Sequence, residues 1–309
     1  MQPHKTNIFL IAILLIDFVL FNFKIYGQVQ KLDWPIEIVS DGHGFTEGPA
    51  LGPDGKIYFT DMDKGYILNY SPSLDTTNIW HDQSRMANGL LIHNNHLYSC
   101  EAVSGAVVKY KLSKGSTSRE VLASTFMGDS LGSPNDLTII EDKLYFSEFW
   151  LEMYLAETER RREIFNNRVY KLSLNNNSLD SIPFSFSLPN GVTSSPDGKY
   201  LFIADWSADK LYKVEVEEGV LGKMELLTDL KEYNFEGPDG MAVKTDGFLF
   251  VALYGKGNVV LVINPEGNVI GYLPTGPLTS NCVFAADDKT LYITANKKLM
   301  RVVVPEMIK

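Results

Sequence analysis

The chain has 309 residues, a formal net charge of -10, and 45% hydrophobic, 12% aromatic and 21% charged residues. That is globular composition, with apolar material for one large core or two smaller ones. The acidic balance, without a Lys/Arg-rich stripe, excludes nucleic acid as an expected partner; the five histidines and two cysteines show no spacing of a Cys/His zinc cluster.

The first element is a leader. Lys5 precedes the apolar run "IFLIAILLIDFVLF", and "KIYGQ" follows. A basic start, an apolar stretch and a small residue at its end read as a secretory signal peptide over residues 1–27, with Gly27 as the cleavage edge. Residues 28–309 then form one exported domain, periplasmic or secreted. The run is short for a membrane span and carries Asp17, so no membrane association is expected once the leader is removed. A retained anchor is the alternative.

Next comes a short strand pattern, "IEIVS" at 36–40, and then one sentence written six times. The copies are "EGPALGPDGKIYFTD" from Glu47, "NGLLIHNNHLYSCE" from Asn88, "NDLTIIEDKLYFSE" from Asn135, "NGVTSSPDGKYLFIAD" from Asn190, "DGMAVKTDGFLFVAL" from Asp239 and "NCVFAADDKTLYITA" from Asn281. Their first residues stand 41 to 55 residues apart, the period of a propeller blade or a helical-pair solenoid. Local chemistry selects the propeller. Each copy is an apolar run, a turn such as Asp54-Gly55 or Asp197-Gly198, and an aromatic or β-branched run, which is the hairpin signature. A third run usually follows, such as "GAVVKYKL" or "DKLYKVEV". About four antiparallel strands per unit give an all-β, six-bladed β-propeller. The last unit runs out of chain after "RVVV", and "IEIVS" is expected to supply its outer strand and close the ring. Cys100 falls in blade 2 and Cys282 in blade 6, with blade 1 between them, so two free buried thiols are expected rather than a disulfide. In blade 3, an insertion at 149–168 reads as a short helix with a charged face: either a lid over the channel or an ordinary packed loop.

In a propeller the first strand of each blade lines the central channel. The six leading residues, Glu47, Asn88, Asn135, Asn190, Asp239 and Asn281, therefore form a ring at one rim. Singly, Asn and Asp before Gly are turn formers. As a set they are six oxygen-bearing side chains converging on one channel mouth, which suits a hard divalent cation; Glu47 and Asp239 balance its charge. The expected fold thus has a central metal-binding channel.

The motifs "TEGP" at 46–49, "SPND" at 133–136, "PNG" at 189–191, "PDGM" at 238–241, "TSNCVF" at 279–284 and "LYIT" at 291–294, in this order and at blade spacing, resemble the senescence-marker-protein/gluconolactonase (regucalcin-like) family from about Phe45 to Val304. The resemblance implies a six-bladed propeller with one catalytic divalent metal, calcium first and Mg, Mn or Zn as alternatives, and a small-molecule lactone as substrate. It implies Glu47, Asn190 and Asp239 as direct metal ligands, with Asn135 beside the metal, touching it, substrate or water. It gives Asp239 a second role as the carboxylate that takes a proton from water. Asn88, Asn281 and Glu101 are candidate substrate contacts. Asp205, which ends "IAD", is a second candidate base or a strand-end residue bonding backbone, and Glu148 ends the matching strand of blade 3. Two departures stand out: Ser133 occupies the position of a sugar-contacting Arg in regucalcin-type members, and "CEAVSG" lacks the His and Arg that follow "CE" in bacterial members. The metal set is intact and the substrate set is altered. The leading expectation is a metal-dependent lactonase; the alternatives are a non-enzymatic metal-stabilised propeller that binds protein or glycan, and a propeller with other chemistry, as in strictosidine-synthase-like proteins.

Overall fold

The computed structural model describes residues 29–148, 167–255 and 257–307. The leader, and residues 149–166 of the blade 3 insertion, lie outside the described residues. Six antiparallel sheets follow one another in chain order. Their innermost strands are Thr46–Leu51, Ala87–His93, Pro134–Ile140, Pro189–Ser194, Pro238–Val243 and Thr279–Phe284. Each packs on the next, and Thr279–Phe284 packs back on Thr46–Leu51, so the sheets stand around a channel as the blades of a six-bladed propeller.

The core is a set of layers between neighbouring blades, and no apolar mass fills the centre. Tyr145, Leu201 and Val214 pack between blades 3 and 4; Phe250, Phe284 and Ile293 pack between blades 5 and 6; Phe59, Tyr70 and Leu299 pack between blades 1 and 6. This explains why middle strands are apolar on both faces. Leu249–Leu253 and Val259–Ile263 are buried along their whole length, because each lies between two other blades. Outer strands such as Val220–Asp229 are largely open to solvent. The Asp-Gly turns close hairpins as their chemistry requires, with Gly55 and Gly198 at φ 74° and 70°, where a side chain would be strained.

Ile36–Ser40 is the outermost strand of blade 6 and pairs antiparallel with Lys298–Val303, Glu37 opposite Arg301 at 2.8 Å. The sheet is therefore closed by strands from opposite ends of the described chain, as the sequence pattern predicts. One strand has no sequence signal. Gln30–Lys31 adds to blade 5 in parallel with Val269–Pro274, while Leu32 continues the pairing through its N–H to Tyr272. Two residues are too short for a periodicity. Cys100 and Cys282 are free and buried. Among the described residues no helix is long and apolar enough to cross a membrane.

Candidate active site

The pairing of every innermost strand shifts register at its start: between Glu47 and Ala50, Ala87 and Leu90, Pro134 and Leu137, Pro189 and Val192, Pro238 and Met241, and Thr279 and Asn281. The irregularity frees backbone N–H groups from the ladder and turns the strand ends toward the channel. Side-chain oxygens accept those N–H groups. Glu47 Oε2 accepts from Gly48 at 2.8 Å, Asn281 Oδ1 from Cys282 at 2.8 Å, and Asp136 Oδ1 from Leu137 at 2.9 Å; Asp239 accepts from Gly240. An oxygen-bearing residue at this position therefore has a local backbone role as well as a place on the channel. Where the next position is Gly, there is no room for a side chain. A Cβ on Gly191 would stand 2.1 Å from the Asp239 carbonyl oxygen, and one on Gly48 would stand 2.1 Å from that of Asn88. Hydroxyls one layer out fix the strand ends: Thr60 donates to the Asn88 carbonyl at 3.2 Å, and Ser147 donates to that of Asn190.

All six leading residues, Glu47, Asn88, Asn135, Asn190, Asp239 and Asn281, are buried. Burial pushes the Glu47 and Asp239 carboxyls well above the usual carboxylate range; repulsion from the charge of Asp136 adds to this at Glu47, and repulsion from Glu47 adds to it at Asp239. Asn281 is oriented by the Cys282 N–H it accepts, which leaves its amide to donate to Glu47 and to Asp136. Asn190 hydrogen-bonds Asp239 through its side chain, yet its Oδ1 is buried with no hydrogen-bond partner. A buried acceptor without a donor is costly unless something positive meets it.

Sequence reasoning assigned no role to Asp136. It follows Asn135 and is 7% exposed. It accepts the Val192 N–H across the blade boundary at 3.1 Å. Burial pushes its pKa up to about 7, and its charge adds to the repulsion on both Glu47 and Asp239. The available signal was comparative: the residue after the leader is Gly in four of the copies, and in blade 3 it is Asp136. Beyond the ring the channel opens into a cavity of about 380 Å³, walled by apolar residues such as Leu90, Met241 and Phe284, with Asp136 and Asn281 at its ring end.

The carboxylates ending the second strands of blades 1 to 4 do different work. Glu101 is fully buried and held by Arg119 through two bonds of 2.8 and 2.7 Å, with Tyr110 and Ser104 donating as well. Its oxygens are engaged in that network, which anchors the end of the strand. Asp205 accepts from the Ser187 and Leu188 N–H groups at 2.8 Å each, and Glu148 accepts from Gly132 and the Tyr170 hydroxyl. These residues tie down the loops that lead into the channel strands. Asp205 is thus the backbone-bonding residue of the two roles expected for it. Ser133 is 3% exposed, and its hydroxyl donates to the Ala102 carbonyl at 3.5 Å, so it supplies no cation to the mouth.

Does this arrangement fit a cation? Among the described residues no three His, Cys, Asp or Glu side chains form a metal-holding group, so an ion here would need amide oxygens too. The unpartnered Asn190 Oδ1 beside two mutually repelling carboxylates is such a mixed set, hard and oxygen-only.

Residues 45–297 match the SMP-30/gluconolactonase/LRE-like region. The chain belongs to that family. Among its relatives, a gluconolactonase from Zymomonas mobilis is 26% identical over 300 residues, covering 89% of this chain and 82% of the relative. The lactonase drp35 of Staphylococcus aureus is 31% identical over 107 residues, 34% of this chain and 33% of that one. In structure, a gluconolactonase from Xanthomonas campestris superposes with a TM-score of 0.78 at 22% identity, covering 90% of this chain and 92% of its own. The calcium-binding protein regucalcin from Agrobacterium tumefaciens gives 0.71 at 17%, covering 88% and 96%. Both have the fold of this SMP-30/gluconolactonase family member.

Proposed function

We propose that this family member is a lactonase that opens a small lactone with one divalent cation held by Glu47, Asn190 and Asp239, and with Asn135 beside it. The observation that carries the reading is the buried, unpartnered Asn190 Oδ1 next to the Glu47–Asp239 pair. Calcium is the first choice because the donors are all oxygen and a structural relative is a calcium-binding regucalcin; Mg, Mn and Zn are the alternatives. Bound there, the cation would polarise the lactone carbonyl and lower the pKa of a water.

The chain's own groups do the rest. Asp239 takes the proton as the water oxygen bonds to the carbonyl carbon. The ring C–O bond then breaks, its electron pair stays on the ring oxygen, and that oxygen takes up the proton Asp239 accepted, which gives the hydroxy acid and restores the carboxylate. Asn281 holds Glu47 in place by its amide, and Asn135 is placed to orient the substrate or the water. Asn88, on a blade to which the resemblance assigns no direct ligand, is a peripheral contact. The leader supports export of the chain.

The test is a lactone panel assayed on metal-stripped protein, with each divalent ion restored in turn. Activity is expected to vanish on stripping and to return with calcium. Hydrolysis that persists undiminished in chelator would overturn the metal role, and no hydrolysis of any lactone under any ion would overturn the lactonase.

A further inference from the structure

The mouth of the channel is lopsided. Phe45 lies two residues before Glu47, and Tyr254 follows the Leu249–Leu253 strand that pairs with the Asp239 strand. Their rings meet edge to face, centroids 5.9 Å apart. One belongs to blade 1 and the other to blade 5, so the contact reaches across the whole sector of blade 6. Both rings are only half-buried. Buried partners at the matching positions of blades 1 and 2, Met62 and Ala102, present nothing of the kind. Tyr254 is pinned by its N–H, which donates to the Gly237 carbonyl at 2.9 Å, two residues before Asp239. The pair therefore stands at the ring, linking the two blades that carry its acidic residues. Half-exposed Trp206 extends the same side, its indole nitrogen 3.2 Å from where a Cβ on Gly237 would be.

The charge around this face points the same way. Among the described residues Arg119 is held by Glu101 at 2.7 Å, while the more exposed cations each face a carboxylate: Lys64 lies 3.4 Å from Asp61, Lys231 3.3 Å from Asp209 and Arg85 3.9 Å from Glu101. Ser133 offers only a hydroxyl already donated to backbone. A wall of aromatic edges, with the described cations nearby each facing a carboxylate, suits an uncharged substrate with C–H surface outside the reacting ring.

We infer that Phe45 and Tyr254 form a specificity wall that takes an apolar substituent of a neutral lactone, so that alkyl-substituted lactones are preferred over the bare ring. The inference rests on the lactonase reading for its substrate class, and the test separates the two. The probes are δ-valerolactone and δ-decalactone, which differ by a pentyl chain, and the two corresponding lactams as unreactive isosteres. In the parent, the pentyl lactam should bind about tenfold more tightly by calorimetry, since part of the chain leaves water on the wall. kcat/KM for the two lactones should show a similar ratio, carried mainly by KM. Phe45→Ala and Tyr254→Ala should each cut the ratio to about threefold or less, while Tyr254→Phe keeps it. Should an Ala variant melt early, Tyr254→Gln keeps the length without the ring and should show the same loss. A parent ratio near one, or a ratio unmoved in the folded ring-less variants, overturns the wall. Wall-dependent lactam binding without hydrolysis of either lactone sinks the lactonase and leaves the wall standing.

Discussion

Asp239 and Asn190 share a hydrogen bond, and only one of them carries charge. Asp239→Asn is nearly isosteric at a ring that already holds four asparagines, so the propeller should fold. Activity should fall about 10²–10⁴-fold at saturating metal, as expected for loss of a general base. In chelator the melting point of Asp239→Asn should equal or exceed the parent's, because one of two repelling carboxyls is gone. Its rise on adding calcium should shrink. Activity above a tenth of the parent's would leave Asp239 as a ligand alone. A second residue-scale test concerns Glu101. Arg119→Leu strips a fully buried carboxylate of its bidentate partner, and an uncompensated buried charge costs about 3 kcal/mol or more. A clearly lower denaturant midpoint with unchanged KM is expected. A changed KM at unchanged stability would return Glu101 to the substrate side.

At the scale of the strand, the innermost element carries the design. Its irregular start frees N–H groups, its acidic or amide residue accepts them, and the following small residue lets neighbouring strand ends nearly touch. Gly191→Ala puts a methyl 2.1 Å from the Asp239 carbonyl oxygen, a backbone atom that cannot rotate away. Overpacking of this kind typically costs about 1–3 kcal/mol, and because it moves Asp239 it should also lower activity. Thermal melting and kcat/KM check both; a variant as stable and active as the parent would refute the tight packing. These elements were legible to different degrees. The repeat showed the blades, because the alternation of runs and Asp-Gly turns is a local property. The closing strand Ile36–Ser40 was legible because the last unit lacked one. Gln30–Lys31 was not, being too short to show a period. Asp136 was hidden because only two copies depart from Gly there, one of them to Cys282, and its position beside Asn135 gave no hint that burial would lift its pKa. The Glu101–Arg119 pair was not legible because the two lie eighteen residues apart, where no spacing rule links them.

For the molecule as a whole, the acidic channel makes stability depend on pH and metal together. Burial raises the carboxyls of Glu47, Asp136 and Asp239 in the folded chain. Without a cation the native state therefore keeps protons that the unfolded state releases near pH 4. That stabilisation is complete below about pH 4 and is lost as pH rises through about 7 at Asp136 and upward at the other two. The melting point in chelator should thus fall across this window, by about 5 °C or more. A bound divalent ion favours the ionised forms, so the rise produced by calcium should grow over the same range. Melting curves in chelator and in calcium from pH 4.5 to 8.5 test this; a calcium increment independent of pH would count against cation binding at these carboxyls.

The pairing of Ile36–Ser40 with Lys298–Val303 also sets a timetable. A ribosome makes the first partner long before the second, since Glu37 and Arg301 stand 264 residues apart. Until residue 303 exists, the strand at 36–40 has nothing to pair with, and Gln30–Lys31 waits similarly for residues 269–274. The first blades can form locally as they emerge, but they form an open arc whose end faces stay uncovered. Closure waits until residue 303 has been made, and until then the nascent chain is exposed at the seam, where a chaperone or a second unfinished chain would first make contact.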